Sequence, residues 1–79
     1  MQYEKLGLFI KLKRTRLGVS LNKFAYDADI DPAIICRIEN LKQGIKLEIL
    51  EKIATAHAQT PAEFLTEFES LPEDFDDQK

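Results

Sequence analysis

The stretch SLNKFAYDADIDPAIICRIEN, residues 20–40, contains two helix starts close together, and that spacing decides the fold. Ser20 is the side-chain N-cap expected for a short helix from Leu21 to about Asp27, in which Leu21, Phe24, Ala25 and Ala28 fall within one arc at about 100° per residue. Asp31 and Pro32 then start the chain again. A carboxylate at the cap accepts from the open N–H groups of the first turn, and proline has its φ preset for the first helical position. The second helix is expected to run to about Asn40, with Ile34, Ile35 and Ile38 inward and Ala33, Cys36, Arg37 and Asn40 outward.

Upstream, a first helix is expected from about Tyr3 or Lys5 to Leu17, with Leu6, Phe9, Ile10 and Leu17 on one side and Gly18 as its stop. Lys13 falls near the apolar side and spoils the pattern. Downstream, a fourth helix from about Leu47 to Ala58 would bury Leu47, Leu50, Ile53 and Ala54. Thr60-Pro61-Ala62-Glu63 reads as a capping box with proline at the first position. It opens a fifth helix with Phe64, Leu65, Phe68 and Leu71 on one face, and Pro72 ends it. No segment alternates with period two for long enough to argue a strand. The reading is an all-α, compact five-helix domain over residues 1–71, followed by an acidic tail, 72–79, expected to be disordered.

The net charge of −3 on 79 residues hides an asymmetry. Residues 1–46 hold nine Lys/Arg against five Asp/Glu, whereas residues 47–79 hold two against nine. Such a division signals a polyanionic partner or an acidic tail. A chain this short buries only roughly 60–65% of its unfolded surface, so pairing with a second copy would help it. One cysteine, Cys36, excludes an internal disulfide and suits a reducing compartment. No apolar run approaches a membrane span, and no signal peptide is evident, so the expected location is the cytoplasm.

Two short helices joined by a turn of about three residues, the second firmly capped, form the pattern of a helix-turn-helix. Around it, Leu6-Gly7, Ile10-Lys11, Arg14, Gly18-Val19-Ser20, Phe24-Ala25, Ile30-Asp31-Pro32, Ile35, Arg37-Ile38-Glu39-Asn40, Leu47, Leu50, Ile53-Ala54 and Phe64-Leu65 occur in order and spacing. This series, covering residues 6–65, resembles the phage-repressor/Cro-like (XRE-type) helix-turn-helix family. The resemblance implies a DNA-binding domain, commonly a homodimer on a partly palindromic double-stranded operator, acting as a small transcriptional regulator, most often a repressor. The helix over 31–40 would lie in the major groove and the N-terminus of the helix after Ser20 would rest on a phosphate. The resemblance also implies a salt bridge between Arg14 and Glu39. Helix 5, with Phe64 and Phe68, is the dimer contact expected from the family's tendency.

At several positions the chain departs from the family pattern. Leu21 stands where a DNA-contacting glutamine is common, Asp29 and Leu41 stand where glycine is common, Cys36 replaces a frequent serine, and His57 replaces a usual leucine. In the resulting reading Ala33, Ile34 and Arg37 contact bases, with arginine suited to the O6/N7 edge of guanine and apolar atoms suited to a thymine methyl. Ser20, Leu21, Lys23, Asn40, Lys42 and Lys46 contact the DNA backbone. Asp31 and Thr60 are helix caps. Cys36 is expected to be a half-buried thiol, and a lone His57 with no neighbouring Cys or His is structural and holds no metal. No nucleophile elbow, phosphate loop or metal-ligand cluster is present, so no enzyme, cofactor or metal is expected. The competing reading is a helix-turn-helix turned to a protein partner, engaged by the sparse recognition face and the acidic C-terminal third. Leu21, the acidic cluster Asp27, Asp29 and Asp31 and the modest basic excess favour it, the more so if those aspartates group over the groove face.

Overall fold

The computed structural model describes residues 5–72, 74 and 75, and among them the secondary structure is entirely helical. The five helices are α1 (Leu6–Arg16), α2 (Leu21–Ala28), α3 (Pro32–Glu39), α4 (Leu47–Ala56) and α5 (Pro61–Glu69). A start of the first helix at Tyr3 and most of the acidic tail, Glu73 and residues 76–79, lie outside the described residues.

The starts of α2, α3 and α5 follow from the side chains at their caps, whereas Lys5 and Lys46 precede α1 and α4 with no side-chain cap. Ser20 Oγ accepts from Lys23 N–H at 3.1 Å, and Asp31 Oδ1 accepts from Ala33 N–H at 2.8 Å. Thr60 and Glu63 close a reciprocal box: Thr60 N–H donates to Glu63 Oε1 at 2.8 Å and Glu63 N–H donates to Thr60 Oγ1 at 3.1 Å. Each satisfies amides that the helix itself leaves unpaired.

The stops share one geometry. After α1, α2, α3 and α4 a residue in the left-handed region, Gly18 (φ 70°), Asp29, Leu41 or Ala58 (each φ 59°), reverses the chain. The N–H of each reaches back three residues and the next N–H reaches back five, for example Leu41 to Ile38 O at 3.1 Å and Lys42 to Arg37 O at 2.8 Å. These are Schellman caps, which glycine normally serves. Asp29 and Leu41 adopt the backbone that glycine would have adopted there, and Ala58 stops α4 at Ala56, two residues before its expected end. Leu41 gains a compensating contact, because its side chain lies against Gly7 of α1. Gly7 is itself required by space: a Cβ there would collide with the carbonyl oxygen of Ile38, so glycine is what lets α1 seat on the end of α3.

Helix α2 packs on α3 and α4, α4 on α5, and α1 on α3. The core runs through Phe9, Ile10, Ala25, Ile35, Ile38, Ile53, Ala54 and Phe64, all essentially inaccessible. Along one side the rings form a column. Phe24 and Phe64 flank His57 at centroid distances of 5.3 and 5.7 Å, Phe9 meets Phe64 at 5.1 Å and Phe68 at 5.4 Å, and Phe75 meets Phe9 edge-on at 6.3 Å. Tilted and edge-to-face rings at these separations are the preferred aromatic arrangements. Phe75, grouped with the tail in sequence, is therefore a core residue.

Several expectations are corrected. Leu47 is 69% exposed, because as the first residue of α4 it precedes the turn that meets the core. Leu17, one residue past α1, is likewise exposed. Phe64 and Phe68 face the chain's own interior, so they are not available to a second copy. Cys36 is exposed, since α3 buries Ile35, Ile38 and Glu39 on its other side. Ile34 on α3, Leu21 on α2, and Leu65 and Leu71 at the C-terminal end are only half-buried.

Candidate nucleic-acid interface

Helix α3 is held from behind by a buried ion pair. Arg14 Nε donates to Glu39 Oε2 at 2.8 Å and Nη2 donates to Oε1 at 2.9 Å, a two-pronged contact, while Nη1 donates to the carbonyl of Val19 at 2.8 Å. One guanidinium thus joins α1, the approach to α2, and the last turn of α3. The hydrogen bond to Glu39 raises the proton affinity of Arg14, burial opposes it, and the charge of Glu39 adds to the rise. With both charges enclosed and each guanidinium nitrogen and carboxylate oxygen engaged, the pair fixes the orientation of α3 more than it adds net stability.

From Ala33 to the C-cap Asn40 the exposed positions are Ala33, Cys36, Arg37 and Asn40, a face with one cation and no acid, with Ile34 half-exposed beside it. Asn40 folds back on its own helix, its Nδ2 donating to Cys36 O at 2.8 Å, with Cys36 Sγ 3.5 Å away. Arg37 Nε donates to Gln43 Oε1 at 2.6 Å. Lys42 and Lys46 are exposed on the loop that follows. At the start of α2, Ser20 is committed to its cap and Leu21 lies half-buried against the core. Lys23 is turned along α2 onto Asp27 at 3.1 Å, an exposed pair of the kind worth little.

The three aspartates of the turn region divide between two depressions, Asp29 and Asp31 lining one and Asp27 the other. Asp27 shares a depression between α2 and α4 with Glu48, Glu51 and Lys52. Asp29 lies beside Tyr26, Ile30 and Asp31, and its carbonyl accepts from Lys52 Nζ at 3.0 Å. Asp31 is occupied by its cap.

Two features escaped the sequence reading. One is Gln43 against Arg37. The other lies away from α3, where Lys13 Nζ donates to Glu67 Oε1 at 2.7 Å and Gln59 Oε1 at 3.0 Å, and sits 5.7 and 5.5 Å from the ring centroids of Phe9 and Phe64. Next to it, His57 Nε2 is buried with no hydrogen-bond partner among the described residues. Burial first, then the charge of Lys13, lowers the pKa of His57, and Glu67 acts against them. The Glu67 carboxyl is lowered chiefly by its hydrogen bond from Lys13, with burial opposing and Gln59 adding.

No three His, Cys, Asp or Glu side chains among the described residues are grouped to hold a metal, and no helix among them is long and apolar enough to cross a membrane. No protein family, curated protein or solved structure matches the chain.

Proposed function

We propose that the chain is a sequence-specific double-stranded-DNA-binding protein, a small cytoplasmic transcriptional regulator, repressor-like and working as a homodimer. The observation that carries the reading is the acid-free outer face of α3, presented by a helix that is capped at both ends and locked from behind by Arg14 and Glu39. A short helix with these attributes fits a major groove, and in a helix-turn-helix the N-terminus of the preceding helix rests on a phosphate beside it. In this reading Arg37, with Ala33 and Ile34, reads base edges. The N-terminal amides at Ser20 and Leu21, together with Lys23, Asn40, Lys42 and Lys46, hold the phosphates.

Lys23 must leave Asp27 to do so, at little cost for so exposed a pair. Fluorescence anisotropy on duplex fragments tests the reading. Binding is expected to weaken with salt at a log–log slope of about −0.9 per phosphate neutralised. Arg37→Ala is expected to cut discrimination between duplexes by about 1–3 kcal/mol. Absence of duplex binding at low salt ends the reading.

A second reading, in which the same helix pair engages a protein, is favoured by Tyr26, 80% exposed on α2 beside Asp29 and Asp31. An exposed tyrosine with flanking carboxylates suits a protein contact and repels phosphate. Tyr26→Ala separates the two, since it leaves duplex affinity unchanged if the face of α3 binds DNA and removes a co-purifying protein if the second reading holds.

A further inference from the structure

The contact between Arg37 and Gln43 is a product of how α3 ends. Leu41 enters the left-handed region and Lys42 N–H returns to Arg37 O at 2.8 Å, which folds the chain back along the last turn of the helix. Gln43 is the next residue, and its Oε1 accepts from Arg37 Nε at 2.6 Å. Both backbone and side chain of Arg37 are thereby tied to the same short loop.

A guanidinium has five N–H donors in a planar fork. Engaging Nε leaves the four N–H groups of the two terminal nitrogens, and these form the end of the fork that matches the paired acceptors O6 and N7 of guanine. An arginine held in one plane before it meets DNA loses less rotamer freedom on binding than one that must be ordered at that moment. Building on the DNA-binding reading, we propose that Gln43 is a positioning residue for Arg37. By accepting the Nε–H, it presents the terminal nitrogens end-on to a guanine, so that discrimination at one base pair depends on a loop residue outside α3.

The test uses the full chain and a duplex selected from a random pool by the wild-type protein, with each base substituted in turn. Gln43→Ala is expected to reduce the preference for guanine at one base pair by about threefold to tenfold, with the salt slope unchanged. Gln43→Glu keeps an acceptor for Nε and is expected to retain that preference, while its negative charge weakens binding to every duplex alike. In an Arg37→Ala background, Gln43→Ala is expected to cause no further loss of discrimination. Gln43 is exposed, so thermal melts of the variants should match wild type. An unchanged guanine preference in Gln43→Ala, or an equal loss with and without Arg37, overturns the proposal and leaves DNA binding intact. A wild-type pool that shows no enrichment at low salt overturns both.

Discussion

Arg14 and Lys13 are neighbours on α1, yet they serve opposite halves of the molecule. Arg14 reaches α3 and closes a two-pronged pair in which the side chains are 10% and 3% exposed, whereas Lys13 reaches α5 and a Glu67 side chain that is 38% exposed. One charge pair is sealed and the other is wet. The difference teaches where each half gets its rigidity. The α2–α3 half, thin in aromatics, is aligned by directional hydrogen bonds to an enclosed arginine. The α1–α5 half is held by the rings of Phe9, Phe64, Phe68 and Phe75, and its lysine lies along their edge.

The sharpest way to break this contrast is to orphan the sealed charge. Glu39→Ala leaves Arg14 buried without its carboxylate and is expected to cost about 3–5 kcal/mol, measured by urea denaturation. That is a large share of the stability of a domain this small. Replacing both partners with apolar residues of similar volume is expected to recover most of the loss while loosening α3. The matching change on the other side, Glu67→Gln, is expected to cost about 1 kcal/mol or less, because Glu67 keeps contact with water although Lys13 is only 15% exposed, and glutamine keeps an acceptor for its Nζ. Equal losses at the two sites would show that burial is not what separates them.

The smallest effect concerns pH and again favours the wet side. His57 has its folded pKa below the unfolded value of 6.5, so its neutral form stabilises the fold above that pH, and the contribution is lost as pH falls through the folded pKa. Glu67 is depressed from 4.5, so its contribution is present above that value and is lost at still lower pH. Thermal melts are therefore expected to fall on acidification, with the loss from His57 beginning at higher pH than the loss from Glu67. His57→Phe, which keeps a ring between Phe24 and Phe64, should remove the first loss and Glu67→Gln the second.

Much of the fold was legible in the sequence because the starts of the helices are local. Ser20, Asp31 and the Thr60–Glu63 box act within three residues of where they stand. The stops were legible only in part. Asp29 and Leu41 were recognised as places where glycine is usual, but Ala58 carries no such signal, since its left-handed backbone follows from the reversal after α4 and not from its side chain. Leu47 falls on the apolar arc of α4 yet is exposed, because angular position around a helix does not say where along it the core begins. The pairing of Arg14 with Glu39, 25 residues apart, was reachable through the resemblance alone. The partners of Lys13, 46 and 54 residues away, and the burial of Phe75 depend on tertiary packing that no spacing rule encodes.

At the candidate interface the same division holds. Periodicity identified the outer face of α3, including Arg37, but the position of Gln43 required the reversal at Leu41. Periodicity also marked Cys36 as outward, while its thiol was expected to be half-buried; the small side chain says little about depth.

The measurement that bears most directly on all of this is selection of bound duplexes from a random pool by the purified chain, with Arg37→Ala run in parallel. Enrichment of a short motif containing a guanine, lost in the Arg37→Ala pool while salt-sensitive duplex binding persists, is the expected result. A wild-type pool with no enriched motif, or the same motif in both pools, would contradict the assignment of α3 and Arg37 to sequence recognition.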